Sequence, residues 1–174
     1  MRVRGKNKGA KQGENPNKNN LLGEIKMSGF SVAILGLALC MIFCGAGSAL
    51  ALFKTGSASS GVTSEDPKKF SKVFVLTVLP ATQGIYGFVV ALMGISYLSV
   101  DMSMAAGYSV FMAALPMTIV GLISAYFQGK TSVSAIQAVA KEDSLSGKLM
   151  LFPAMVETYA ILALVISIML YSAL

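Results

Sequence analysis

Four apolar runs decide what this chain can fold into. They cover about Phe30–Phe53, Val73–Val100, Met104–Gln128 and Leu149–Leu174. Each is long enough to cross a hydrocarbon core of about 30 Å as a helix. Lipid offers a backbone no hydrogen-bond partners, so a segment inside it must satisfy its own N–H and C=O groups. The expected fold class is therefore an all-α membrane protein with four transmembrane helices. The charge content agrees: 13% of the 174 residues are charged, against roughly 25% in an ordinary soluble domain. Little chain is left outside the bilayer, so soluble chemistry must come from partners.

The side chains narrow the function classes. There is no His, and the two cysteines, Cys40 and Cys44, lie four apart on one face of the first span. That pattern makes neither a zinc motif nor a disulfide framework; it reads as small residues packed inside the membrane. Glu157 is the one acid in the fourth span, within Leu151-Phe-Pro-Ala-Met-Val-Glu-Thr-Tyr-Ala160. A carboxylate near a bilayer centre costs at least about 2.5–3.5 kcal/mol on insertion scales. A membrane-buried acid of this kind points to an ion-binding or proton-carrying site.

Most of the net charge of +6 comes from the first 26 residues, which hold Arg2, Arg4, Lys6, Lys8, Lys11, Lys18 and Lys26 against Glu14 and Glu24. This polar, Asn/Gly-rich stretch is expected to be a disordered basic arm over residues 1–28. Met27-Ser-Gly-Phe-Ser-Val-Ala is a compact start directly before the first span. Translation is expected to begin at Met27, with residues 1–26 a misassigned extension, and no nucleic-acid partner is expected. Beyond the arm, Lys54, Lys68, Lys69 and Lys72 lie in one inter-span segment (54–72) and Lys130, Lys141 and Lys148 in another (129–148). The link at Asp101 and the C-terminus carry no Lys or Arg. By the positive-inside rule both loops are cytoplasmic and both termini outside, in a multi-pass protein of the cell membrane.

The chain repeats itself. Gly29-Phe-Ser-Val32 answers Gly107-Tyr-Ser-Val110, and Lys54-Thr55 answers Lys130-Thr131. Leu79-Pro-Ala-Thr-Gln-Gly-Ile-Tyr-Gly87 answers Phe152-Pro-Ala-Met-Val-Glu-Thr-Tyr-Ala160. Two tandem helical hairpins follow, at 29–100 and 101–174. In that register Gly84 stands opposite Glu157, so the first hairpin has the frame of an acid site without the acid. The first and third spans also carry stripes of small residues four apart, such as Gly36, Cys40, Cys44 and Ser48, and Gly47, Ala51, Thr55 and Ser59. Small residues at that spacing let helices approach closely in lipid. Such extensive stripes are expected to line the crowded inner helices of a homo-oligomeric ring.

Polar groups collect at one depth. Thr82, Gln83 and Tyr86 share a sector of the second span, and Gln128 lies in the third. Measured from loop centres near Asp66 and Ser144, Gln83, Gln128 and Glu157 agree in depth within about 6 Å, at about 1.5 Å rise per residue. Pro80 and Pro153 are each expected to free a carbonyl and bend their helix. A carboxylate, two amides, a hydroxyl and a phenol thus gather at one level. An oxygen-rich set suits a hard cation such as Na⁺, whereas a bare proton needs only the carboxyl and one or two partners.

LPATQGIYGF at 79–88, FPAMVETYAIL at 152–162 and FQGK at 127–130 resemble the membrane-ring proteolipids (c-ring type) of V-type ATPases, in particular the K subunits of bacterial V-type sodium pumps. The likeness covers about residues 29–174 and implies a rotor-ring subunit of an ATP-driven rotary pump. Such a subunit is not an enzyme by itself, needs no organic cofactor, and carries Na⁺ through Glu157. The resemblance implies that Gln83, Gln128, Thr82 and the backbone carbonyl of Leu79 hold the ion with Glu157, and that Tyr86 holds the glutamate. Ala81 departs from the pattern, where glycine is expected. Implied partners are further copies of the chain, a stator membrane subunit bearing an arginine, and an ATP-hydrolysing sector reached through central-stalk subunits. One alternative is an H⁺-translocating ring of the same family. Another is a small four-helix cation-coupled antiporter, although there the acid lies in the first helix and no repeat is present. A third is a structural or pore-forming protein in which Glu157 is incidental.

Overall fold

The computed structural model describes residues 28–174; the basic arm and the expected start at Met27 lie outside the described residues. Six helices follow in order: α1 (Gly29–Glu65), α2 (Phe70–Val78), α3 (Thr82–Ile95), α4 (Met104–Lys141), α5 (Ser146–Leu149) and α6 (Leu151–Ser172). Short 3₁₀ turns at Pro67–Lys69, Leu79–Ala81 and Asp143–Leu145 join them. Functionally these are four rods, because α2 runs on into α3 and α5 into α6, and each rod is long and apolar enough to cross a membrane.

The two hairpins are built alike at both ends. Ser28 caps α1 by accepting a bond from the Ser31 N–H at 3.2 Å, and Ser103 caps α4 from the Ala106 N–H at 3.2 Å. Serine at this position satisfies one of the donors that a helix start leaves free. At the other end, Asp66 (φ −141°, ψ 99°) and Glu142 (φ −140°, ψ 101°) stop α1 and α4 in the same extended backbone. Each carboxylate then accepts the N–H two residues on, from Lys68 at 3.0 Å and Ser144 at 3.2 Å. The Ser144 hydroxyl and N–H together hold the Glu142 carboxyl below the usual carboxylate range.

One expectation about the loops fails. Residues 54–72 and 129–148 are mostly helix, because α1 runs past Phe53 to Glu65 and α4 past Gln128 to Lys141. Hydropathy marks where lipid contact ends, whereas a helix ends where packing and capping end it. Past Phe53, the buried Thr55 hydroxyl donates to the Thr77 carbonyl at 2.8 Å and Ser59 bonds Thr77, so α1 keeps a partner in α2. The real connections are short turns, tied across the hairpins where Lys69 and Lys72 meet Asp143.

Packing centres on α1 against α4, with the α2–α3 and α5–α6 rods outside them. The small-residue stripes face inward: Gly36, Cys40, Cys44, Gly47, Ser48, Ala51, Thr55 and Ser59 are all buried within the single chain. A methyl on Gly129 would lie 2.7 Å from the Ala51 Cβ, and one on Gly107 would run into the Gly29 backbone. The stripes therefore pack α1 on α4 and on the α2–α3 rod inside one chain. Both thiols are free and buried, and Cys44 donates to the Met117 carbonyl at 3.3 Å.

Candidate functional site

The two outer rods are interrupted where the repeat places their prolines. Pro80 occupies the second position of the 3₁₀ turn Leu79–Ala81, where its missing N–H and fixed φ cost little. In the second hairpin the break falls at Met150, and Pro153 is the third residue of α6, inside the first turn whose N–H groups have no helical partner. The interruptions set the angular position of the side chains that follow, so Gln83 and Tyr86 on α3 and Glu157 on α6 turn toward α4.

A continuous hydrogen-bonded chain results. The Gln83 Nε2 donates to Gln128 Oε1 at 2.5 Å and to Ser124 Oγ at 3.3 Å. The Gln128 Nε2 donates to Glu157 Oε2 at 3.3 Å and to the Pro153 carbonyl at 3.2 Å. The Tyr86 hydroxyl donates to Glu157 Oε1 at 2.7 Å. Both carboxylate oxygens are thus engaged, one by an amide and one by a phenol. Gln83 and Gln128 are fully buried, while Glu157 and Tyr86 are half-buried.

The other two sequence-predicted positions pair with each other. The Thr82 hydroxyl donates to the Leu79 carbonyl at 3.0 Å, and the Thr82 N–H bonds the same carbonyl. They sit directly before Gln83, and no hydrogen bond joins them to the carboxylate.

One atom in the cluster stands out. The Gln83 Oε1 is buried and has no hydrogen-bond partner. An unsatisfied buried carbonyl oxygen costs on the order of 1–3 kcal/mol, so a ligand that supplies positive charge gains there what the folded chain lacks. The donor set is all oxygen, with one carboxylate and otherwise neutral groups. Among the described residues no cluster of three or more His, Cys, Asp or Glu could hold a transition metal. This chemistry fits a monovalent hard cation.

Ser124 was missed as a site residue, although the sequence places it in a small-residue stripe. Its hydroxyl accepts from Gln83 and donates to the Val156 carbonyl at 3.1 Å, tying α3, α4 and α6 together. Its position four residues before Gln128, one turn away on the same face, was the available signal. The counterpart in the first hairpin is Ser48, whose hydroxyl accepts from the Gly84 N–H at 2.8 Å.

Comparison with known proteins supplies the family. The sequence profile of the ATP synthase C subunit matches twice, over residues 35–93 and 111–170, one match in each hairpin. The chain is 43% identical to the V-type sodium ATPase subunit K of Enterococcus hirae, over 82% of this chain and 91% of that protein. It is 37% identical to the A-type ATP synthase subunit K of Methanocaldococcus jannaschii, over 78% of this chain and 60% of that protein. It is 22% identical to the human 16 kDa proteolipid of the V-type proton ATPase, over 79% of this chain and 89% of that protein. These matches remove the antiporter and the structural or pore-forming protein classes, and the chain belongs to the ATP synthase C-subunit family, of which it carries two copies in tandem.

Proposed function

We propose that this chain is a rotor-ring subunit of an ATP-driven rotary pump and that its cargo is Na⁺, carried on Glu157. As a family member it moves ions and catalyses no bond chemistry; ATP hydrolysis belongs to partner subunits. The observation that carries the sodium reading is the buried, unpartnered Gln83 Oε1, bonded through its amide to Gln128, which in turn bonds the one carboxylate. Gln83, Gln128, Thr82 and the Leu79 carbonyl would replace the hydration shell, Glu157 would supply the neutralising charge, and Tyr86 would orient the carboxylate. The 43% identity to a sodium ATPase subunit supports the same cargo.

A bound cation leaves the site close to neutral, which lowers the cost of facing hydrocarbon while a ring turns. Exchange requires a place where that charge is exposed and matched, the role of a stator subunit. Further copies of the chain, the stator and a central stalk leading to the ATP-hydrolysing sector are the partners in this reading. By the positive-inside rule, the lysines near the Asp66 and Ser144 turns support a cytoplasmic side for both loops.

Labelling with dicyclohexylcarbodiimide tests the cargo. The purified assembly should be modified at Glu157, and millimolar Na⁺ should protect it at constant pH. Protection that follows pH alone assigns the chain to proton transport, and absence of labelling at Glu157 rejects the site.

A further inference from the structure

Half of the duplicated frame has no acid to serve. The first hairpin keeps the proline, the serine and the tyrosine of the second, but carries Gly84 where the acid would be. Which faces of the two hairpins are covered shows what that position does.

Within the chain the first hairpin presents one face and the second receives it. The presenting residues are Gly47, Ala51, Gln83 and Tyr86. A methyl on Gly47 would lie 3.2 Å from the Ala125 Cβ, Ala51 packs on Gly129, Gln83 bonds Gln128, and Tyr86 bonds Glu157. In the register that pairs Lys54 with Lys130 and Pro80 with Pro153, their counterparts are Ile123, Phe127, Val156 and Tyr159. Ile123, Phe127 and Tyr159 are 50%, 51% and 66% exposed. With Val156 they line a groove of about 580 Å³ between α4 and α6.

The receiving side repeats the pattern. Ala125, Gln128, Gly129 and Glu157 correspond to Ala49, Leu52, Phe53 and Gly84. Ala49 and Phe53 are exposed, and Ala49, Leu52 and Gly84 line, with Ser48, a groove of about 370 Å³ between α1 and α3. The chain makes one instance of this contact and leaves both halves of a second instance open.

We propose that a second copy of this chain completes it, with the Tyr159 ring of one copy seated against Gly84 of the next and the Tyr159 hydroxyl bonded to Ser48 of that next copy. The acid-less hairpin is then a socket for assembly. Tyr86 shows what the frame does with a phenol at this register, since it reaches the carboxylate of the facing hairpin at 2.7 Å. Tyr159 meets no carboxylate at Gly84. The Ser48 Oγ stands there instead, 3.3 Å from where a Cβ on Gly84 would begin, and a hydroxyl can accept a phenol's proton while it also accepts from the Gly84 N–H. A small residue opposite a large ring lets helices approach closely in lipid. Because the two faces differ, the contact is head-to-tail, and repeating it closes a ring. This inference rests on the reading of the chain as one of several copies in a rotor, and not on which ion Glu157 carries.

Cross-linking of the purified assembly tests the pairing. Tyr159→Cys combined with Ser48→Cys, treated with a short bifunctional methanethiosulfonate, should give a ladder of covalently joined copies on denaturing gels. Each single variant should stay unlinked, because Cys40 and Cys44 are buried. Linkage in Tyr159→Cys alone would mean that like faces meet, and an assembled double variant that does not link would mean that another face is used. Either result overturns the proposal. If the double variant does not assemble, Tyr159→Ala and Tyr159→Phe decide. Alanine should lower several-fold the detergent concentration at which the assembly falls into single chains, and phenylalanine should lower it less. Val100→Ala, at a position 75% exposed in the link between the hairpins, should leave it unchanged. Undiminished resistance in Tyr159→Ala overturns the proposal. A wild type that purifies as single chains would overturn the rotor reading as well, whereas one that assembles through other faces overturns only this pairing.

Discussion

The two hairpins start from one plan and end in different chemistry. Each has a serine-capped inner helix, an acid-capped stop with matching dihedrals, an interrupted outer rod with a proline at the same register, and a serine one helix away. In the second hairpin that serine, Ser124, joins Gln83 to the Val156 carbonyl beside Glu157. In the first, Ser48 meets the Gly84 backbone N–H directly, and a methyl on Gly84 would sit 3.3 Å from the Ser48 side chain. The first hairpin crowds with Ser48 the position in which an acid would stand. It also donates its own polar residues, since Gln83 and Tyr86 belong to its outer rod yet face Glu157. One duplicated frame thus makes a single hydrogen-bonded cluster with polar groups drawn from both halves. The difference teaches that the polar cluster around Glu157 is assembled by the pair, not by either hairpin alone.

The most severe break in this comparison is Glu157→Gln. The amide keeps size and hydrogen-bonding capacity but removes the charge that a cation needs. Transport in membrane vesicles should fall to background while the assembly still purifies; near wild-type transport would remove Glu157 from the mechanism. Gly84→Glu asks whether the first hairpin retains a latent site. The side chain enters a position that Ser48 crowds, and Gln83 and Tyr86, the polar groups of its own rod, already serve Glu157. We expect poor assembly and no additional bound sodium, measured by size-exclusion yield and sodium content. Intact assembly with doubled sodium would show two equivalent halves.

Gln128→Ala removes the amide that links Gln83 to the carboxylate. Loss of a buried polar partner costs about 1–3 kcal/mol, so sodium affinity should drop roughly 5- to 150-fold, read from the concentration that protects Glu157 against carbodiimide. Tyr86→Phe removes one hydrogen bond to the carboxylate, about 0.5–1.5 kcal/mol, and should weaken sodium protection by roughly tenfold or less. The smallest expected effect separates the two serines. Ser124→Ala should lower sodium affinity a few-fold, whereas Ser48→Ala should lower thermal stability and leave affinity unchanged. The reverse assignment would mean the first hairpin supplies the working hydroxyl.

Much of this was legible in the residues. Hydropathy located the four rods, the repeat located the hairpins, and depth counting placed Gln83, Gln128 and Glu157 at one level, where the structure bonds them in series. Other features carry no such signal. The apolar runs end at Phe53 and Gln128, yet α1 and α4 continue for about three more turns, because buried small residues and hydroxyls keep them packed after lipid contact has ended. The stripes pack α1 on α4 and on the α2–α3 rod within the chain, since spacing says that a neighbour is close but not which helix it belongs to. Thr82 and Leu79 lie beside the chain of bonds rather than in it. That difference depends on the 3₁₀ turn at Pro80, a local geometry that the proline signals but does not specify.

The central claim is that Glu157 and the oxygens of Gln83, Gln128, Thr82 and Leu79 form a sodium site. Equilibrium binding of radiolabelled sodium to the purified assembly, at fixed pH and with the Glu157→Gln variant alongside, tests it most directly. The account predicts saturable binding of a single Na⁺ per chain, abolished in the variant and weakened by Gln128→Ala. Absence of saturable sodium binding to the wild type, with Glu157 still reactive to carbodiimide in a manner governed only by pH, would contradict it.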